Sequence, residues 1–148
     1  MKRTADGFVG KVADVTGPGI TDRFGVTCAD LGASVEAADG ALVSVFGDTF
    51  SGSRVGVGEW RSPVILIGTG DATHRIVYRR AGGGDPGYAR QLWHYRHRNT
   101  GAGLFRRGIS TVIPSDLLRV GDERGFHFIG VGNVALDDYR RTFNLGAG

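Results

Sequence analysis

Glycine restricts what this chain can fold into more than any other residue. It fills 26 of 148 positions, about 18%, against roughly 7% in an average protein. The glycines follow no three-residue period, which excludes a collagen-like fibre. A glycine inside a helix costs about 1 kcal/mol relative to alanine, whereas turns tolerate it well. With 41% hydrophobic residues to form a core, the chain is predicted to be a turn-rich, all-β domain.

The charge distribution and the lack of a long apolar run argue against nucleic acid and membrane as partners. Eighteen basic and 15 acidic residues leave a net charge of +3, spread along the chain, and no nucleic-acid-binding motif is present. No apolar run approaches the roughly 20 residues that a membrane span needs. Residues 1–7 contain no apolar stretch of the kind found in signal peptides. The single cysteine, Cys28, excludes an internal disulfide.

Short apolar segments separated by turns every 8–12 residues predict a series of strands. Residues 41–46 are nearly all apolar, which is typical of a strand buried on both faces. Pro114 favours an edge position for its strand. The strand rhythm suits either a β-sandwich or the blades of a propeller. The predicted strands cover residues 24–28, 33–36, 41–46, 64–67, 76–78, 91–98, 111–120 and 126–131.

The C-terminal stretch departs from this pattern. Residues 133–145 contain no glycine, and Leu136, Tyr139 and Phe143 recur with a helical period. A short C-terminal helix and a tail unrelated to the rest of the domain are both open interpretations.

Two aspartates are placed symmetrically about a predicted turn. Asp30 and Asp48 each lie nine residues from Asp39, within the tight-turn sequence Asp39-Gly40. Residues equidistant from the turn of an antiparallel hairpin face each other, and like charges placed so are destabilising. Paired carboxylates in unequal environments are what glycoside hydrolysis requires. Turn capping is the alternative role for each aspartate.

Four segments together resemble successive motifs of one bacterial family, long filed as a domain of unknown function. That family includes actinobacterial endo-D-arabinanases and is similar to five-bladed β-propeller glycosidases. The resemblance spans about residues 22–134. It implies a propeller-like fold, hydrolysis of D-arabinofuranosyl linkages in cell-wall arabinan, and catalytic carboxylates at Asp30 and Asp48. The segments are Thr27-Cys28-Ala29-Asp30-Leu31-Gly32, Val45-Phe46-Gly47-Asp48-Thr49-Phe50, Trp60-Arg61-Ser62-Pro63 and Thr111-Val112-Ile113-Pro114-Ser115-Asp116.

Five further residues are candidates for substrate binding, each with a simpler alternative. Trp60 is either a stacking platform for a sugar ring or a core residue. Arg61 either holds a sugar hydroxyl or orients a carboxylate, or is an exposed arginine at a strand start. Asp116 is a third site carboxylate or a turn cap. His127 lies in an apolar strand, where site and core roles compete, and Asn133 belongs to the family-like Gly-Asn-Val sequence.

No cofactor and no metal site are predicted. His94 and His97 lie on opposite faces of their predicted strand and make a poor metal pair. The expected partner is an arabinan-type polysaccharide.

The predicted organisation is a lead-in over residues 1–20, a partial propeller-like domain over 21–134 and a divergent tail over 135–148. At about 40–50 residues per blade, the chain suffices for about three blades. The tail is hypothesised to arise from a frameshift, because deleting one base from suitable codons restores a family-like sequence after Val134. An open arc of blades is expected to self-associate through its exposed strand edges.

Three functions follow as hypotheses. The first is a glycoside hydrolase of arabinan type, active or relict. The second is a non-catalytic carbohydrate-binding protein, and the third is a structural component such as a phage-tail protein. The family is expected outside the cytoplasm, whereas a chain without a signal peptide is expected to be cytoplasmic or delivered by a virion.

Overall fold

The computed structural model describes the backbone of residues 2–4, 7–71, 73–93, 95, 109–119, 126–134 and 141–146. Side chains are described for residues 10–71, 73–93, 95 and 111–119. Within these residues every regular element except one 3₁₀ turn, Asp22–Phe24, is a strand, so the protein is all-β. The strands are β1 (Lys2–Thr4), β2 (Gly7–Val9), β3 (Cys28–Ala29), β4 (Gly32–Glu36), β5 (Leu42–Phe46), β6 (Thr49–Phe50), β7 (Trp60–Arg61), β8 (Val64–Thr69), β9 (Val77–Ala81), β10 (Ile109–Arg119), β11 (Phe126–Val134) and β12 (Arg141–Gly146).

The described strands form four antiparallel sheets. The central sheet has the order β4-β5-β8-β9, and a second sheet has the order β10-β11-β12. A third, β3-β6-β7, continues the central sheet, because the pairs Ala29↔Thr49 and Gly32↔Phe46 share one register. A two-stranded sheet, β1-β2, precedes them. Four antiparallel strands in up-and-down order are the arrangement of a propeller blade.

The central sheet is covered on both faces, which explains the nearly continuous apolar sequence of β5. On one face Phe46, Val64 and Leu66 belong to a core that includes Phe24 and Tyr78. On the other face the core is formed by β5, β8 and β10 side chains, among them Val43, Val45, Val112 and Leu117. Because successive strand residues point to opposite faces, a strand between two cores is mostly apolar on both faces. The second core brings β10 against the central sheet.

Much of the predicted strand pattern is confirmed. Residues 33–36 and 41–46 form the β4–β5 hairpin, whose register centres on Asp39 as the Asp-Gly turn predicts. The carboxylate of Asp39 accepts the amide hydrogen of Ala41 at 3.1 Å. Pro114 lies in β10, which is the edge strand of its sheet. The strands predicted over 64–67, 76–78 and 126–131 correspond to β8, β9 and β11.

Two other strand predictions were wrong. Residues 24–28 end a 3₁₀ turn and reach β3 only at Cys28, since Gly25 closes the turn at φ +73°. Residues 91–93 and 95 are not in a strand. The side-chain amide of Gln91 donates hydrogen bonds to the carbonyls of Trp93 and Tyr95 at 2.8 and 2.9 Å, so the segment folds around its own side chain. The remaining residues of that prediction, 94 and 96–98, lie outside the described residues.

The predicted C-terminal helix was also wrong where the structure describes the chain. Asn133 and Val134 complete β11, and Arg141–Gly146 forms β12, paired with β11 from His127↔Gly146 to Gly132↔Arg141. Three apolar residues at helical spacing give only a weak preference for a helix. Hydrogen bonding to the open edge of β11 outweighs that preference. Residues 135–140 lie outside the described residues. Among the described residues, no helix has the length and apolar character of a membrane span.

Candidate carboxylate site

Asp30 and Asp48 lie opposite each other where the long antiparallel sheet is interrupted. Ala29 pairs with Thr49 before the break and Gly32 with Phe46 after it, without an inserted residue on either side. The Asp30 amide donates to the Asp48 carbonyl at 3.0 Å, and the Asp48 amide donates to Oδ1 of Asp30 at 3.1 Å. The structure therefore places both carboxylates at the far end of the hairpin from its turn.

Leu31 creates the break between the two halves of the sheet. Its φ of +42° lies in the left-handed region, which is sterically unfavourable for a residue with a branched side chain. The Gly47 amide donates to the carbonyls of both Asp30 and Leu31, at 3.1 and 2.8 Å. The leucine side chain remains 61% exposed. An exposed, strained leucine beside two carboxylates fits the tendency of backbone strain to concentrate at functional sites.

The carboxylate of Asp48 is held by two side chains from different strands. Trp60, in β7, donates its indole Nε1–H to Oδ1 of Asp48 at 2.8 Å. Thr111, in β10, donates its hydroxyl hydrogen to the same oxygen. No described residue donates a hydrogen bond to the second oxygen, Oδ2. Among the described residues, the side chains that orient Asp48 therefore act through Oδ1.

Asp30 has a different electrostatic environment. Partial desolvation by the surrounding chain raises the pKa of its carboxyl above the ordinary 3.8, and the negative charge of Asp48 raises it further. The hydrogen bond from the Asp48 amide acts in the opposite direction and is the smaller effect. A carboxyl whose pKa is raised beside a second, hydrogen-bonded carboxylate is the arrangement that acid–base catalysis uses.

The structure places Trp60 at the site, but as a support for Asp48. Its ring stacks on Phe50 with centroids 6.0 Å apart and planes 21° from parallel. The half-buried side chain also binds Asp48 through its nitrogen. The indole thus holds the carboxylate from one side while its ring packs on the buried Phe50.

Arg61 does not reach the carboxylate pair. Its side chain is buried, with 2% of the residue exposed, so the alternative of an exposed strand-start arginine was also wrong. The guanidinium donates to the carbonyls of Ala89 and Gly25 and lies 4.6 Å from the ring centre of Tyr88. Burial lowers the pKa of the group. Arg61 therefore links two distant loops inside the fold. Its position next to Trp60 in the sequence does not predict this structural role.

The remaining predicted residues lie on β10 and β11. Asp116 is exposed within β10, at a register shift and not at a turn, and its carboxylate accepts the amide hydrogen of its neighbour Leu117 at 2.8 Å. Asn133 lies opposite Thr111 in the β10–β11 register, and His127 lies opposite Leu118. The side chains of Asn133 and His127 are outside the described residues. His94 and His97 are outside them as well.

Sequence reasoning missed Thr111, although this residue opens one of the four motifs. Its hydroxyl reaches Asp48 across 63 positions of the chain, from a different sheet. Tyr95 falls in the segment predicted as a strand over residues 91–98, yet its hydroxyl donates to the Ser62 carbonyl and accepts from the Val112 amide at 3.1 Å. No spacing rule connects these residues. Among the described residues, no group of three or more histidine, cysteine, aspartate or glutamate side chains has the geometry to hold a metal ion.

Comparison with known protein families gives a match that covers most of the chain. A family model described as a domain of unknown function, DUF4185, matches residues 16–142. The match includes Asp30, Asp48, Trp60 and Thr111. No curated protein matches the chain.

Proposed function

This chain belongs to the DUF4185 family of domains of unknown function, and we propose that it is a glycoside hydrolase of the two-carboxylate type. The observation that carries the proposal is the juxtaposition of Asp30 and Asp48 at the sheet break, with the Asp48 amide bound to Oδ1 of Asp30 at 3.1 Å. Glycoside hydrolysis requires one carboxyl that donates a proton and one that remains ionised.

The environments of the two groups suggest which role each takes. Asp30, whose pKa is raised by desolvation and by the charge of Asp48, is the proton donor to the departing glycosidic oxygen. Asp48, whose Oδ1 accepts two hydrogen bonds, is the carboxylate that attacks the sugar or activates a water molecule. Neither step requires a cofactor.

The proposed substrate is a polysaccharide built from D-arabinofuranosyl units. Support comes from the sequence resemblance carried by Asp30-Leu31-Gly32 and Phe46-Gly47-Asp48-Thr49-Phe50. In the structure these two motifs are the two sides of the sheet break, with Gly47 bound to the carbonyls of Asp30 and Leu31. These two of the four resembling segments therefore carry both of the proposed catalytic carboxylates.

The test is release of reducing sugar from purified arabinan by the intact chain. Asp30→Asn and Asp48→Asn should each lower the rate at least about 100-fold, since removing one acid–base group costs about 10²–10⁴ in rate. Asp39→Asn is the matched control, because it makes the same charge change at the opposite end of the hairpin. Binding of arabinan without turnover would replace hydrolysis by a carbohydrate-binding function, and neither binding nor turnover would overturn both.

A further inference from the structure

Two neutral donors converge on one oxygen of Asp48. The indole of Trp60 and the hydroxyl of Thr111 come from β7 and β10, which belong to different sheets. A hydrogen bond to a charged group is worth about 1.5–3 kcal/mol, more than a neutral one. Two such bonds on Oδ1 restrict rotation of the carboxylate and leave Oδ2 as the oxygen with no described donor.

The position of Thr111 is itself fixed by its neighbour along β10. The Val112 carbonyl accepts a hydrogen bond from the hydroxyl of Ser62 at 2.6 Å, and the Val112 amide donates to the hydroxyl of Tyr95 at 3.1 Å. The same tyrosine hydroxyl lies within hydrogen-bonding reach of the Thr111 side chain. The backbone carbonyl and amide of Val112 are thus bound by the side chains of Ser62 and Tyr95. These two bonds hold the neighbouring Thr111 against Asp48.

Packing alone does not account for a threonine at this position. Thr111 is 5% exposed and sits beside the buried Val112 in a strand that packs on an apolar core. Valine has nearly the same shape and no hydroxyl to desolvate, and burial of a hydroxyl is unfavourable unless it is hydrogen-bonded. The Thr111 hydroxyl donates to Asp48 and also lies within reach of the Tyr95 hydroxyl, so it is buried with polar partners.

We propose that Trp60 and Thr111 are positioning residues that together hold Oδ1 of Asp48 and so present Oδ2 as the reacting oxygen. This inference rests on the proposed function, because it assigns a reacting oxygen to Asp48. It extends that function by making the site depend on β10 as well as on the hairpin that carries the two aspartates.

The activity test compares two substitutions at Thr111. Thr111→Val should lower kcat on arabinan about 10-fold to 100-fold, the equivalent of one hydrogen bond to a charged group, with less than about a threefold change in KM. Thr111→Ser should restore most of kcat, because it returns the hydroxyl. Thr27→Val is the matched control, since the Thr27 hydroxyl donates to the Ser51 carbonyl at 3.0 Å and not to Asp48. Unchanged kcat in Thr111→Val would overturn the proposal.

A second test does not depend on activity. The chain has two tryptophans, so its ¹⁵N–¹H spectrum should contain two indole resonances, assigned with Trp60→Phe and Trp93→Phe. Both Asp48→Asn and Thr111→Val should move the Trp60 resonance, while Thr111→Ser and Thr27→Val should leave it near its wild-type position. A Trp60 resonance insensitive to Thr111→Val would show that the two donors do not share one oxygen, and would overturn the proposal.

The two tests separate the inference from the function on which it rests. An intact chain that releases no sugar contradicts the proposed hydrolysis, yet the indole resonance still decides whether Thr111 and Trp60 hold Asp48 jointly. An active chain with a normal kcat in Thr111→Val leaves hydrolysis standing and removes the positioning role.

Discussion

The backbone amide of Asp48 donates a hydrogen bond to Oδ1 of Asp30, at 3.1 Å. This bond anchors the Asp30 carboxylate to the backbone that carries Asp48, and so holds it beside the second aspartate. The charge of Asp48 and partial desolvation both raise the pKa of Asp30. The relationship therefore places two like charges together at the expense of stability, as functional sites commonly do.

The first prediction concerns the pH dependence of stability. Because the pKa of Asp30 is raised in the folded state, its protonated form favours folding. That contribution is fully present below the ordinary value of 3.8 and is lost as pH rises through the folded-state pKa. Asp30 is exposed and solvent screens its charge, so Asp30→Asn should be more stable than wild type at pH 7 by only about 0.2–1 kcal/mol. The gain should shrink towards zero at pH 3.5.

Urea unfolding at the two pH values measures this difference. Asparagine retains the oxygen that accepts the Asp48 amide hydrogen, so the comparison isolates the charge. A variant less stable than wild type at pH 7 would contradict the assignment of Asp30 as the destabilised carboxyl.

The second prediction concerns the strained leucine. Leu31→Gly should raise the free energy of unfolding by up to about 1 kcal/mol, since the left-handed region is costly for leucine and the exposed side chain loses little burial. Gly40→Ala should act in the opposite direction, because Gly40 has a φ of +79° with open space around it. Chemical denaturation of both variants checks the pair. Destabilisation by Leu31→Gly would mean that the leucine side chain contributes packing that its exposure does not reveal.

The third prediction separates a structural from a substrate-binding role for Arg61. Arg61→Lys should lower the free energy of unfolding by about 2 kcal/mol or more, because an ammonium cannot reproduce the forked donation to the Ala89 and Gly25 carbonyls. Thermal unfolding measures the loss. A stable Arg61→Lys variant with a raised KM for arabinan would restore the substrate-binding interpretation.

The fourth prediction concerns the irregularity between β8 and β9. A Cβ at Gly68 would lie 2.2 Å from the Val77 carbonyl oxygen, a backbone atom that cannot move aside easily. Gly68→Ala should therefore cost about 2–3 kcal/mol. Gly87→Ala is the control, because its Cβ would meet only the Asp85 carboxylate at an ordinary 3.7 Å. Equal stability of the two variants in urea would show that the β8–β9 register shifts freely.

The local part of the fold and of the site was predictable. A hairpin centred on Asp39 follows from Asp39-Gly40 and two apolar segments, and its register alone places Asp30 opposite Asp48. Sequence spacing was sufficient here because, in an antiparallel hairpin, residues at equal distances from the turn face each other. Asp71 and Asp85 accept amide hydrogens from Thr73 and Gly87, each two residues further along the chain, so these contacts are equally local.

The predictions that were wrong concern features that depend on residues far away in the sequence or on the direction of one side chain. The burial of Arg61 depends on carbonyls of Gly25 and Ala89, 36 and 28 positions away. The loop at 91–95 depends on which way the Gln91 side chain turns. The pairing of β12 depends on an available edge of β11. In each case a weak local preference was outweighed by a partner that spacing does not identify.

The amino-acid sequence by itself determined the all-β class, the hairpin and the facing aspartates, because each follows from neighbouring residues and the alternation of strand faces. Only the tertiary structure decided that β10 packs on the hairpin's sheet and that Thr111 and Trp60 meet on a single oxygen of Asp48. The physical reason is that contact between sheets results from packing whole apolar faces together. The position of one hydroxyl within such a contact depends on every residue that the two faces bury.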